Sequence, residues 1–169
     1  MECHNRELKD RIADLISRLF KEKNDGDEFL IGILIDRLLW AATEYSNTNA
    51  NVKYLGQPYW SKKAVLRYAQ NKENPAIGNF NGLRHEHVVP RKVVKSYILG
   101  LSDKSSKNIL KVLEQCSHAV VVTIDEDNEL KRRGLNRAMP EGFDQKNPTS
   151  DVLARYRSTS IEIVAGPQI

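Results

Sequence analysis

No run of about 18 apolar residues occurs anywhere in the chain, so no segment reads as a helix that crosses a bilayer. Cysteine is scarce: Cys3 and Cys116 alone cannot build a disulfide framework, and a reducing interior suits them. No charged-then-apolar leader opens the sequence, and the expectation is a cytoplasmic protein with no membrane partner. Internal repeats and low-complexity tracts are also missing, which excludes solenoid and fibrous architectures. What remains is a chain of 169 residues with 40% apolar content. That is enough for one domain, 1–169, around a real core.

The net charge of +4 is unevenly placed. Residues 61–112 hold eleven Lys and Arg against three acids, whereas the segments on either side are each slightly acidic. A concentrated basic stretch suits a polyanion such as nucleic acid, with a solvated lysine-rich face as the plainer alternative.

Inside that stretch lies Leu83-Arg84-His85-Glu86-His87-Val88-Val89-Pro90-Arg91, which holds two of the four histidines. In a strand, side chains alternate, so His85 and His87 share one face and Glu86 takes the other. Pro90 lacks an N–H and disfavours helix at Val89, so the run is extended and then turns.

Glu86-His87-Val88-Val89-Pro90 resembles the first motif of the HNH (ββα-metal) nucleases: an acid, a histidine, two aliphatics and a proline. Downstream, Asn108-Ile109-Leu110 and Cys116-Ser117-His118 are similar to that family's later Asn and His. The resemblance spans Glu86 to His118 and nothing outside it. It implies a metal-dependent endonuclease that hydrolyses phosphodiester bonds. His87 and Asn108 would be catalytic, with His87 as the general base, and Glu86 and His118 would hold Mg²⁺ or Mn²⁺. Lys62, Lys63, Arg84, Arg91, Lys92 and Lys95 would contact the phosphates of a nucleic acid, DNA in preference to RNA. The chain departs from the family between the motif halves, because Pro90 to Leu101 reads as a helix, with Val93, Val94, Tyr97, Ile98 and Leu101 at helical spacing. Such a helix would distort a compact hairpin-then-helix unit.

Two other readings stand beside this one. In the first, the protein binds nucleic acid or a protein partner without catalysis. The histidines are then hydrogen-bonded to carbonyls and Glu86 is a salt-bridge partner of Arg84 or Arg91. Asn108 faces solvent, and His118 caps a helix C-terminus. In the second, His85, His87, Cys116 and His118 form a closed Zn²⁺ site, since His-x-His with Cys-x-His supplies four N/S ligands. Tyr59 and Trp60 read as core or as the edge of a cleft, with base stacking beside Lys62 and Lys63 as the functional alternative. Asp125-Glu126-Asp127 reads as charge favoured by a helix N-terminus rather than as a metal site.

The expected architecture is α+β, mostly helical in residues 1–82 and mixed in 83–169, with a small sheet. Leu8, Ile12, Leu15, Ile16, Leu19 and Phe20 make a helical stripe with Asn5 as cap. Phe29 to Tyr45 is apolar almost all round, which predicts a central helix. Residues 46–58 read as a polar loop, and Ser61 caps a basic helix through Tyr68 or Gln70. Asp103 or Ser105 starts the helix that carries Ile109, Leu110 and Leu113. Ala119 to Thr123 is the best strand, Thr123 with Glu126 a capping box, and Gly134 the end of that helix. Met139 to Gly142 is a turn, Ser150-Asp151 opens a short helix through Arg157, and Ile161 to Val164 alternates like an edge strand.

Overall fold

Val120, Val121 and Val122 are completely buried, and the sheet is assembled around them. The computed structural model describes residues 2–43, 52–74, 76–144, 146–147 and 150–167, with backbone alone for 2–5 and 52. Four strands occur among them: β1 (Tyr59–Ser61), β2 (Leu83–His87), β3 (Ala119–Thr123) and β4 (Ile163–Ala165), in spatial order β2-β3-β1-β4. β3 pairs antiparallel with β2, matching His85 to Val121 and Glu86 to Val120. It pairs parallel with β1, matching Trp60 to Val121, while β4 runs antiparallel along the far side of β1. A β-branched run buried on both faces is what a central strand requires.

Alternation along β3 divides the interior in two. Val121 joins Trp60, Leu83 and Ala64, covered by α3 (Val52–Leu55) and α4 (Lys62–Glu73). Val120 and Val122 face the larger core. That core is built from α1 (Glu2–Lys21), α2 (Glu28–Ala41), α5 (Arg91–Gly100), α6 (Ser106–Cys116), α7 (Ile124–Arg132) and α8 (Ala154–Ser158). The described residues therefore form a mostly helical α+β fold with a small mixed sheet. None of their helices is long and apolar enough to cross a membrane.

Local chemistry explains most element ends. The Ser61 hydroxyl accepts from the Ala64 N–H at 3.0 Å and starts α4, which runs on to Glu73. Thr123 and Glu126 form the reciprocal capping box of α7, and Gly134, at φ 71°, lets Leu135 N–H reach back to the Leu130 carbonyl at 2.8 Å. At the other end of the sheet Gly166 lies on the Trp60 indole so closely that a Cβ would sit 2.4 Å from Cδ1. No larger residue fits there without displacing the tryptophan.

Several expectations change. α1 begins at Glu2, so Asn5 lies within the helix rather than capping it. α2 is not central: Ile31, Ile35 and Leu39 are buried, but Phe29, Leu30, Ile33, Leu34 and Trp40 are exposed among the described residues. A helix apolar all round buries only the stripe that finds partners, and here those partners lie on α1 and α5. The continuation of that helix to Tyr45, and residues 46–51 of the polar loop, lie outside the described residues; the rest of that loop contains the single turn of α3. Pro90 stands at the N-cap of α5, Ser105 at that of α6, and residues 150–153 are turn before α8. β1 is not expected from the sequence, because the three residues between Pro58 and the start of α4 are too few to display a period of two.

The most consequential difference concerns residues 88–118. They do contain helices, α5 and α6, yet β2 and β3 still pair residue for residue across the excursion. α7 follows β3 with no intervening loop and packs on both strands. β2 and β3 are thus antiparallel neighbours joined through α5 and α6, with α7 packed on both.

Candidate active site on strand β2

β2 is an edge strand, and its alternation sorts the motif as the sequence implies. His85 and His87 share the Val121 face with Leu83, and Glu86 lies on the face of Val120, toward α7 and α8. Each of the three is half-buried.

On the Glu86 side the organising group is Arg155, from α8. Its guanidinium is fully buried and spends its donors on the end of β2 and its surroundings. Nε donates to the Val88 carbonyl at 3.1 Å, Nη1 to the Leu135 carbonyl at 2.8 Å, and Nη2 to Glu86 Oε2 at 2.8 Å. Nη2 also meets the His87 carbonyl and lies 3.0 Å from Tyr156 Oη, which itself donates to the His87 carbonyl at 3.2 Å. Glu86 is therefore a salt-bridge partner, but of Arg155 rather than of Arg84 or Arg91.

Asp127, on the first turns of α7, supplies a second carboxylate. It is buried, and Oδ2 accepts from Lys131 Nζ at 2.6 Å. Burial raises the Glu86 carboxyl above its ordinary pKa, Arg155 opposes that, and the negative charge of Asp127 adds to the rise. The same two carboxylates act on the Tyr156 hydroxyl, whose proton burial holds most strongly. Glu86 Oε1 and Asp127 Oδ1 have no hydrogen-bond partner among the described residues.

The histidine side is neutral. His87 is pushed down to about 3 by burial, then by His85, Arg91, Arg155 and Lys53. His85 falls to about 4, again by burial and then by Lys53. Its Nε2 lies 3.1 Å from Gln57 Nε2, and that amide also donates to the Thr43 carbonyl at 2.9 Å. An amide N–H beside a ring nitrogen requires the nitrogen to be an acceptor, so His85 is an unprotonated, structurally engaged imidazole. The rings of His85 and His87 meet edge to face at 6.1 Å.

The other residues singled out in the sequence do not join this cluster. Asn108 belongs to the first turn of α6, where Nδ2 donates to Asp103 Oδ2 at 2.7 Å. His118 caps the end of α6 by donating Nε2–H to the Glu114 carbonyl, and burial lowers it to about 4. Cys116 is packed in the larger core, and burial pushes its thiol up to about 12. Cys116 belongs to the core on the face of the sheet away from His85 and His87, so the four residues are not brought together.

Among the described residues, no group of three or more His, Cys, Asp or Glu is arranged to hold a metal. Glu86 and Asp127 are each ion-paired, with Arg155 and Lys131, and each keeps one carboxylate oxygen that could take a further ligand such as a hydrated divalent ion. They do not suit Zn²⁺ in a closed site.

The basic stretch is divided by the fold. Lys62 and Lys63 lie on α4, and Lys92 and Lys95 on α5, which pack on opposite faces of the sheet. Lys62 pairs with Glu162 at 3.0 Å and Arg91 with Asp36 at 3.5 Å, while Arg84 is exposed on β2. No family model, no curated protein and no solved structure matches the chain.

Asp127, Arg155 and Tyr156 were not singled out as site residues. The available signal was an acid at the fourth helical position of α7 followed four residues later by Lys131, and that pattern is equally common on solvated helices.

The three depressed histidines make stability pH-dependent. Each has a folded pKa below its unfolded value near 6.5, so its contribution is complete above about pH 6.5 and is lost as pH falls toward 4. Glu86, raised in the fold, works in the opposite direction and offsets part of this below neutrality. Urea midpoints should fall by the equivalent of a few kcal/mol between pH 7 and 5, since each histidine costs about 1.4 kcal/mol per pH unit below about pH 6.5 and Glu86 offsets part of the sum. A midpoint constant from pH 7 to 5 would show that the imidazoles are open to water.

Proposed function

We propose that the protein is a metal-dependent nuclease of the HNH-like type, centred on Glu86, His87 and Asp127, and that it hydrolyses phosphodiester bonds. The observation that carries this reading is the hairpin-then-helix unit β2–β3–α7. It brings the charge of Asp127 onto Glu86 on the Val120 face of β2, with His87 the next residue, at the end of the strand and on its other face. The metal pair differs from the one expected in the sequence: Asp127 takes the place given there to His118.

The residues divide the chemistry as follows. His87 is neutral at physiological pH, so it can accept the proton of an attacking water. Burial is the main reason that its basicity is low, and a phosphate beside it opposes only the smaller contributions of Arg91 and Arg155. Glu86 and Asp127 would hold the divalent ion through their free oxygens. Charge neutralisation on the phosphate and on the leaving oxygen is what the ion supplies when bound. Arg155 touches no solvent and is a positioning residue: it fixes the carbonyls of His87 and Val88 and one oxygen of Glu86.

The test is incubation of the protein with plasmid, single-stranded DNA and RNA, each with EDTA or with Mg²⁺, Mn²⁺ or Zn²⁺. Cleavage with Mg²⁺ or Mn²⁺ that EDTA abolishes is the expected result. Absence of cleavage of all three substrates under every metal overturns the proposal and leaves a binding protein with a structural histidine motif.

A further inference from the structure

A cleft of about 510 Å³ opens between α5 and the loop after α7, and its charge is of one sign. Lys92 and Ser96 line it from the helix, and Arg137 and Lys146 from the loop. Tyr97 and Met139 form a half-buried apolar floor. Among the described residues no carboxylate lines it. Nor do the side chains of Lys92, Arg137 and Lys146 have any ion-pair or hydrogen-bond partner among the described residues, unlike Lys62 and Arg91. Asp144, in the same loop, turns its carboxylate to the backbone N–H of Lys146 at 2.9 Å.

Three exposed, unpaired cations around a partly apolar floor give the cleft a positive field that attracts an anion. The volume is that of a small-ligand site, far beyond a lone phosphate. An aromatic ring beneath clustered cations is the arrangement that takes a nucleotide, with the base on the ring and the phosphates on the cations. Position adds to this, because Lys92 is the second residue of the helix that begins just after His87-Val88-Val89-Pro90, and the loop is anchored through the Leu135 carbonyl to Arg155.

We infer that this cleft is a nucleotide subsite: it holds one nucleotide of a nucleic-acid strand, with Lys92, Arg137 and Lys146 on the flanking phosphates and the base over Tyr97. This deepens the nuclease reading and rests on it for the identity of the ligand. Arg137 and Lys146 lie outside the basic stretch, so only the fold brings them to Lys92.

Fluorescence anisotropy with a labelled single-stranded oligonucleotide in EDTA tests it without requiring cleavage. The combined variant Lys92→Ser, Arg137→Ser, Lys146→Ser should bind at least about tenfold more weakly. Its slope of log affinity against log salt should be shallower by about 2, as loss of three contacts to a single strand requires. Removing three cations from α1 and the turn after it, by Arg11→Ser, Lys21→Ser and Lys23→Ser, should leave the slope as in the unaltered protein. Tyr97→Leu, which keeps the packing, should weaken oligonucleotide binding and leave tripolyphosphate binding unchanged. An unchanged slope in the cleft variant overturns the subsite even if the protein cleaves DNA. An equal loss in the α1 variant, or no oligonucleotide binding by the unaltered protein, overturns it too. Binding through the cleft without cleavage under any metal keeps the subsite and removes the nuclease.

Discussion

Alanine at His87 should lower cleavage by about 10²- to 10⁴-fold, the usual contribution of a positioned general base, while oligonucleotide binding in EDTA stays within about twofold. The side chain is half-buried, so His87→Gln, of similar volume, serves as the variant that guards against a loss of folding. Glu86→Gln and Asp127→Asn should each shift the metal response to much higher concentration, because one of only two carboxylates is gone. Asn108→Ala and His118→Gln separate this site from the arrangement read in the sequence. Asn108 serves the α6 N-terminus and His118 its C-terminus, so both variants should cleave within about threefold of the unaltered protein once folded. His85→Ala should be similarly mild in turnover, with its effect on stability through Gln57. Full activity in His87→Gln, or lost activity in folded Asn108→Ala, would remove His87 and Asp127 from the centre of the reaction.

Arg155→Ala should cost about 3–5 kcal/mol of stability, the range seen when one partner of a buried ion pair is removed. The guanidinium has no exposure, and its loss strips donors from the carbonyls of His87, Val88 and Leu135 and leaves Glu86 uncompensated. Arg155→Lys should recover little, because a single ammonium cannot span three carbonyls and a carboxylate in the planar fork that they match. Combining Arg155→Ala with Glu86→Gln should cost less than the two changes added separately, since the orphaned charge is removed with its partner. Urea unfolding of the three variants measures this. A loss below about 1 kcal/mol for Arg155→Ala would mean that water satisfies these groups, and that the end of β2 is not locked by α8.

Both experiments bear on residues far apart in the chain, and that separation sets what could be read in advance. The capping box of α7, the serine cap of α4 and the apolar run of β3 are written within a few neighbouring positions, so local chemistry alone fixes them. So does the alternation that places His85 and His87 opposite Glu86. The helices in 90–116 were legible for the same reason, but their consequence was not. Helical spacing says that α5 and α6 exist, and says nothing of whether β2 and β3 pair around them. That pairing depends on Val120 and Val122 finding the larger core while Val121 finds Trp60, a match between surfaces distant in sequence.

The partner of Glu86 shows the limit most clearly. Arg84 and Arg91 are its neighbours in the chain, yet the guanidinium that reaches it lies 69 residues away. Asp127 likewise looks like ordinary N-terminal helix charge until α7 docks on the hairpin and buries it. By itself the sequence determined the α+β class, the central strand and the segment that carries Glu86 and His87. Only the tertiary structure decided which groups face them, because burial and long-range contact, unlike capping and periodicity, leave no regular mark along the chain.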